Sequence, residues 1–370
     1  MSAPSDQAGS NPLKRWSIGT TGMVYVALVA VIAVGAALVA AGGGNLLTGA
    51  NTLDMLTRAS LLGFIAIGQT LVILCRSLDL SVGYVVALAS LVGATVMAGD
   101  PSRILHGIAA VLAVTAVIGL ANGLIITKLR VNPFITTLGM GLILKGYLDT
   151  NYQGPAGDVP TEFQLFGYAR IGVVPVSTLV MLVLAVLGIV LLTRTRTGYS
   201  FYAVGGDEEV ARFSGIRTDR SLIIAHVLCS MAAGVAGLLV AARFGTGSAL
   251  VYGSGYELES IAAVVLGGTY LMGGRGSMAG TVGGVLILAA LDSVFNVLRV
   301  DPFFKDVLRG AIIIGAVALY ARRQLGRRAT RVRFAGDGEP PDAPGHDPGS
   351  GSSPPPDADA ANRSTQEVSS

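Results

Sequence analysis

The stretch GMVYVALVAVIAVGAALVAA, from Gly22 to Ala41, runs for twenty residues without a charged side chain. An α-helix rising about 1.5 Å per residue needs about this many apolar residues to cross the hydrocarbon core of a bilayer. Lys14 and Arg15 precede the run, which is too long for a signal-peptide core, so it reads as a retained first span. Outward from it, apolar runs recur between polar breaks at 56–75, 79–98, 104–127, 134–148, 171–193, 221–242, 258–273, 279–298 and 304–321. Together they predict an all-α polytopic membrane protein of about ten transmembrane helices. The composition agrees: 52% of residues are hydrophobic, only 13% are charged, and the 50 glycines suit close helix contact through small side chains. The 134–148 and 258–273 runs are short and read as tilted, broken or partly spanning. Irregular backbone at that depth is tolerated only inside protein or beside a water-filled cavity.

Positive charge sets the expected orientation. With the amino terminus in the cytoplasm and sides alternating across ten spans, 17 Lys and Arg residues fall on the cytoplasmic side, 8 on the outer side, and Arg363 in the tail. Both termini are then cytoplasmic. The chain divides into a cytoplasmic segment 1–21, a transmembrane domain 22–322, and a stretch 323–370 that begins basic and ends acidic. After Phe334 come seven of the 15 prolines, seven acidic residues and one arginine, with no apolar periodicity. That tail, at net charge −6, is expected to be disordered and solubilising, while the remainder, at +9, suits an anionic inner leaflet.

One hexapeptide occurs nearly twice: Leu129-Arg130-Val131-Asn132-Pro133-Phe134 and Leu298-Arg299-Val300-Asp301-Pro302-Phe303. Each copy joins one span to the next, on opposite sides of the membrane. An inverted repeat of spans 1–5 and 6–10 would produce this pattern, because an odd number of crossings flips the second copy.

Three sets of residues are candidates for mechanism. The longest internal cytoplasmic stretch, Arg194 to Arg220, reads RTRTGYSFYAVGGDEEVARFSGIRTDR. In its central part, 197–220, Gly205 and Gly206 offer a flexible entry. Asp207 can cap a short helix whose first turn carries Glu208 and Glu209, where the helix dipole favours negative charge. Arg212 follows, and Ala211 and Gly215 offer a small-residue surface. Such a helix suits docking into a groove on a soluble partner, and equally suits lying on lipid. The second set is RSLDLSVG, Arg76 to Gly83, which places Asp79 and Ser81 between two apolar runs with hardly any loop. Asp79 reads as a cap accepting the amide hydrogen of Ser81 or Val82, with direct solute contact as the alternative. The third set is the intramembrane polar residues Gln69, Asn122, Thr136, Thr137, Asp292 and Asn296, with Phe134 opening the fifth span. They either line a polar path or hydrogen-bond between helices. A charge at mid-helix costs about 2.5–3.5 kcal/mol to insert, so Asp292 is expected to face the bundle interior.

Other chemistry is not encoded in the motifs. No lysine follows a glycine, which removes a Walker A loop, and no HExxH metal motif occurs. Cys75 and Cys229 both lie in apolar runs and read as small buried hydrophobes, while His106 and His226 stand alone near span ends and read as structural.

Four ordered strings resemble the ribose/xylose-type permeases of ABC importers over about residues 50–322. They are LDLSVG at 78–83, NGLIITKLRVNPFITTLGM at 122–140, GYSFYAVGGDEEVARFSGI at 198–216, and GYELESIAAVVLGGTYLMGGRGSMAGTVGG at 255–284. The resemblance implies a vitamin-importer-like (type II) permease fold in the bacterial inner membrane, with two permease subunits, identical or paired, forming the pathway. It also implies a cytoplasmic ABC ATPase that carries the ATP and magnesium, an extracytoplasmic sugar-binding protein, and no cofactor on this chain. No nucleic-acid partner is expected. The 198–216 segment would then be the coupling helix. Arg76 and Ser77 stand where the family usually has paired glycines, Asn132 stands for a proline, and Asp292 for a common asparagine, which leaves the solute open. Branched-chain amino acids or nucleosides are alternative cargoes. In a different class, a gradient-driven transporter could use Asp292 to carry an ion.

Overall fold

In this computed structural model, residues 19–301 are described, together with positions 303, 304, 305, 307, 310, 311 and 315. The amino-terminal residues 1–18, most of the expected last span 304–321 and the stretch 323–370 lie outside the described residues. The helices in order are α1 (Thr20–Ala41), α2 (Gly49–Leu74), α3 (Val82–Met97), α4 (Ile104–Lys128), α5 (Pro133–Asn151) and α6 (Thr161–Tyr168). After these come α7 (Val176–Arg194), α8 (Arg196–Gly206), α9 (Glu208–Phe213), α10 (Thr218–Phe244), α11 (Tyr256–Leu266) and α12 (Met278–Val297). One small departure from an all-α chain is a two-residue antiparallel hairpin between α6 and α7, pairing β1 (Arg170–Ile171) with β2 (Val174–Pro175).

Among the described residues, six segments are long and apolar enough to cross a membrane: α1, α2, α4 with its leading turn from Pro101, α7, α10 and α12. The other expected spans are built differently. At 16 residues, α3 rises about 24 Å, short of a bilayer core, because residues 77–81, where Ser77, Asp79 and Ser81 alternate with two leucines, stay in a connector instead of extending the helix. α5 has 19 residues but carries Lys145 and Asp149, paired at 2.5 Å, in its second half. α11 stops after 11 residues, where a glycine-rich stretch, 267–277, replaces the rest of the expected span with turns.

α2 and α10 form the centre. α10 packs against α4, α3 and α2, while α2 packs against α12 and α11. The α4–α10 contact is a small-residue crossing: a Cβ at Gly119 or Gly123 would come within 2.5 Å of the His226 carbonyl oxygen or 2.7 Å of the Ile223 Cα. Polar side chains tie helices together elsewhere, as in the 2.8 Å hydroxyl contact of Thr70 with Thr281 between α2 and α12.

The two hexapeptides share one local structure. Leu129 and Leu298 each end a helix, Arg130 and Arg299 follow with φ of 54° and 53°, and Asn132 and Asp301 each accept the amide hydrogen of the phenylalanine two residues on at 2.9 Å. Arginine seldom adopts positive φ, so two such residues at matching positions are a conformational echo as well as a textual one. The packing echoes too: α10 lies against α3 and α4 as α2 lies against α11 and α12.

Candidate functional site

α2 ends at Leu74, and the chain turns through Arg76, at φ 60°, into a connector whose side chains point inward. Ser77, Asp79 and Ser81 are all buried. Asp79 Oδ1 accepts from the Ser81 amide at 2.9 Å and from the Ser81 hydroxyl at 2.5 Å. Its Oδ2 lies 3.4 Å from His226 Nδ1, and His226 Nε2 lies 2.9 Å from the Ser77 hydroxyl. With the ring proton on Nδ1, the imidazole donates to Asp79 and accepts from Ser77. Gln69 of α2 donates to the Asp79 carbonyl oxygen at 3.2 Å and accepts from the Cys229 thiol at 3.5 Å. Asn122 of α4 donates to Ser81 Oγ at 3.1 Å, and Thr137 of α5 accepts the Leu80 amide at 3.1 Å.

The result is a buried polar knot that fastens the connector to α2, α4, α5 and α10. A buried carboxylate without partners is expensive, and this one has the donors it needs. Asp79 does accept the Ser81 amide, as the sequence predicts, but the N-cap position of α3 is Ser81, whose side chain makes no capping bond, so the Asp79 turn orders the connector ahead of the helix. Of the candidates for a polar path, Gln69, Asp79, Ser81, Asn122 and Thr137 come together here, closed in interhelical hydrogen bonds. Thr136, beside Thr137, is buried with its hydroxyl unpartnered among the described residues, as is Asn122 Oδ1. Phe134 is half exposed at the start of α5, outside the knot.

His226 corrects an expectation. Far from standing alone, it is fully buried in α10 and joins Ser77 to Asp79. Its partners lie 149 and 147 residues away, which hides them from local patterns. A signal was present in the face it shares with Cys229 and Ser230, three and four residues on, a polar stripe within an apolar helix.

Asp292 and Asn296 belong elsewhere. Ser293 donates to Asn51 Oδ1 at 3.0 Å near the start of α2. Gln69, eighteen residues further along α2, is about 27 Å away by helical rise. Asp292 is partly exposed, and Asn296 is exposed, accepting from Lys305 Nζ at 2.6 Å. Their position in the last turns of α12 explains this, since the insertion cost of a charge falls towards a helix end.

The 197–220 segment is two helices. Asp207 caps α9 as expected, its Oδ1 accepting the Val210 amide at 3.0 Å, with Glu208 and Glu209 in the first turn and Arg212 paired to Glu208 at 2.7 Å. Gly215, at φ 81°, ends it in a left-handed turn that a side chain would strain. Two expectations fail on packing. Gly205 and Gly206 are no flexible entry but the last residues of α8, and a Cβ on Gly205 would run into the Leu74 carbonyl oxygen and come 2.5 Å from the Gly274 amide nitrogen. Ala211, 3% exposed, faces its own chain. The outward surface of α9 comes instead from Val210, 60% exposed, and Phe213, 89% exposed, flanked by the charged side chains.

α8 therefore rests backbone to backbone on the end of α2. The Gly274 amide donates to the Leu74 carbonyl at 3.0 Å, and the Tyr202 hydroxyl donates to the Gly276 carbonyl at 3.0 Å, so α8, the glycine-rich stretch and the α2 terminus form one contact. Leu74 stands one residue before the connector that the knot holds. Among the described residues no group of His, Cys, Asp and Glu has the arrangement of a metal site.

Residues 51–317 match the model of a family described as a branched-chain amino acid transport system permease component. The ribose import permease protein of Escherichia coli K12 is 38% identical over 304 residues, covering 81% of this chain and 93% of that protein. The ribose import permease of Bacillus subtilis 168 is 38% identical over 283 residues, 73% of this chain and 84% of that one. The galactose/methyl galactoside import permease of Escherichia coli K12 is 34% identical over 326 residues, 82% and 96%. No solved structure matches the chain. Such proteins are transport components rather than enzymes, and a chain matched by the family model and by these permeases over most of its length belongs to their family, the membrane-spanning permease components of ABC importers.

Proposed function

We propose that this chain is the permease subunit through which an ATP-driven importer moves a sugar, a pentose or hexose, across the bacterial inner membrane. The relatives named for ribose and galactose support a sugar cargo, as does the D-allose transport permease of Escherichia coli K12, 31% identical over 274 residues. A branched-chain amino acid remains the second reading because of the family model's description. Uptake of labelled ribose against labelled leucine, in cells expressing the complete importer, separates the two.

The observation that carries the mechanism is the seat of α8 on Leu74 and Gly274. An ATPase gripping α9 by Val210, Phe213 and the charges of Glu208, Glu209 and Arg212 moves α8. Leu74 then shifts the connector, and the knot passes the shift to α4, α5 and α10 together. This is alternating access by rigid elements sharing a bistable contact, with no covalent step on the permease. ATP and magnesium stay on the ATPase, and a solute-binding protein delivers the sugar from outside. In this reading two copies of the chain pair to form the path, each a type II unit of about ten spans with both termini cytoplasmic. The matched geometry of the two hexapeptides supports the inverted repeat. Gln69, Asn122, Thr136 and Thr137 line or support the path in the state where the knot opens.

Co-purification tests the coupling surface. Wild-type permease in detergent is expected to bring down its ATPase, and Glu208→Lys/Glu209→Lys to lose it while remaining monodisperse. A wild-type permease that is folded yet retains no ATPase would move the function to a gradient-driven transporter.

A further inference from the structure

Where α4 ends, α5 begins and α10 begins, the chain leaves an open cleft of about 1060 Å³. Six basic side chains line it, Arg76, Lys128, Arg130, Arg212, Arg217 and Arg220, against two acidic ones, Glu208 and Asp219. The two acids are taken: Asp219 by Lys128 at 2.8 Å and Glu208 by Arg212 at 2.7 Å. Among the described residues, Arg76, Arg130, Arg217 and Arg220 have no ion-pair partner, and all four are exposed. Four uncompensated guanidiniums around one concavity repel one another and attract an anion, and guanidinium geometry matches phosphate oxygens.

The surroundings say which anion. Spans end at the cleft, which puts it at the depth of lipid headgroups whichever way the protein faces. The α4–α5 turn beside it exposes Leu129, Phe134 and Ile135, apolar side chains that suit acyl chains. A basic recess opening beside an exposed apolar strip matches an amphiphile, charged at one end and hydrocarbon at the other. We propose that this cleft is a binding site for an anionic phospholipid, whose phosphate sits among Arg76, Arg130, Arg217 and Arg220 and whose chains lie along Leu129, Phe134 and Ile135. Because Glu208 and Arg212 also line the cleft, the lipid braces α9 against the start of α10. That consequence rests on the coupling role proposed above, whereas binding itself does not.

The test is lipid retention by the purified full-length permease, so it is independent of any ATPase or solute. Delipidated protein is titrated with phosphatidylglycerol or phosphatidylcholine in mixed micelles, and bound lipid per chain is read by native mass spectrometry. Wild type is expected to prefer phosphatidylglycerol. Replacing Arg130, Arg217 and Arg220 together with Gln is expected to weaken that binding about a hundredfold, at roughly fivefold per charge. Replacing the same three with Lys is expected to keep it within about tenfold of wild type. Absence of a phosphatidylglycerol preference in wild type overturns the proposal, as does unchanged affinity in the Gln variant or a fall of the Lys variant to the Gln level. Inorganic phosphate displacing the lipid at equal concentration also overturns it, because the occupant is then a soluble phosphate. Should the Gln variant not stay monodisperse, the wild-type preference and the Lys variant decide.

Discussion

The two ends of α2 carry side chains of similar chemistry in opposite circumstances. At the Leu74 end, Gln69, Ser77, Asp79, Ser81, Asn122, Thr137 and His226 are buried and bonded to one another across four helices and a connector. At the Asn51 end, Asn51 and Ser293 share one bond, and Asp292 and Asn296 lie partly or fully exposed. In a membrane-spanning chain, then, the presence of a polar residue in an apolar run does not say what the residue does; its depth and its partners do. The closed end ties four helices to a connector and the open end carries partly or fully exposed side chains, so substitutions at the two should differ in size.

The largest effect is expected at Asp79. Asp79→Ala leaves His226 and the Ser81 amide and hydroxyl without their acceptor, and each buried donor left unsatisfied costs about 1–3 kcal/mol. Asp79→Asn, which keeps an acceptor oxygen, should cost less. Thermal unfolding in detergent measures both, and an Asp79→Ala protein as stable as wild type would erase the contrast between the two ends.

Next comes the contact of α8 with the closed end. Gly205→Val drives a side chain into the Leu74 carbonyl and the Gly274 amide, where overpacking costs about 1–3 kcal/mol. Its neighbour Gly206 has open space where a Cβ would go, so Gly206→Ala serves as the control. Uptake is expected to fall to background in the first and to stay within about twofold of wild type in the second. Equal uptake by both would separate α8 from coupling.

A smaller effect is expected at Ser77. Ser77→Ala removes one buried hydrogen bond to His226, a net loss of about 1 kcal/mol, with the Asp79 contact left in place. A loss as large as that of Asp79→Ala would mean that the knot acts as a unit whose members cannot be ranked.

The same contrast explains what was legible in the sequence. Apolar runs located α1, α2, α4, α7, α10 and α12, because length and hydropathy are local properties that a bilayer enforces along each run. The break in the 258–273 run was expected from its shortness, but neither the point where α11 stops nor the start of α3 was legible, since leucines and glycines continue past both and only tertiary hydrogen bonds decide. Within the 197–220 segment the Asp207 cap was readable, being a contact three residues long. The burial of Gly205 against Leu74 and of Ala211 against its own chain was not, nor was the exposure of Phe213. Those depend on what lies opposite in space. The knot is the extreme case: Asp79 was singled out by its place between two spans, but nothing near it in sequence points to His226.

The smallest effect is expected at the open end, and it carries the most weight for the choice between transport classes. A gradient-driven transporter needs an intramembrane acid that alternates between bound and free ion, and Asp292 is the residue that such a mechanism would use. Asp292→Asn keeps the size and the hydrogen-bonding oxygen but removes the charge, so it would abolish ion coupling outright. An ATP-driven permease makes no such demand on this carboxylate, which is partly exposed near the end of α12. An ATP-driven permease carrying Asp292→Asn should therefore import solute within about twofold of wild type, and an ionophore that collapses the membrane gradients at constant ATP should leave uptake equally untouched. Uptake lost in the variant and also lost with the ionophore would make the open end of α2 the working end, and the closed knot at the other end only a brace.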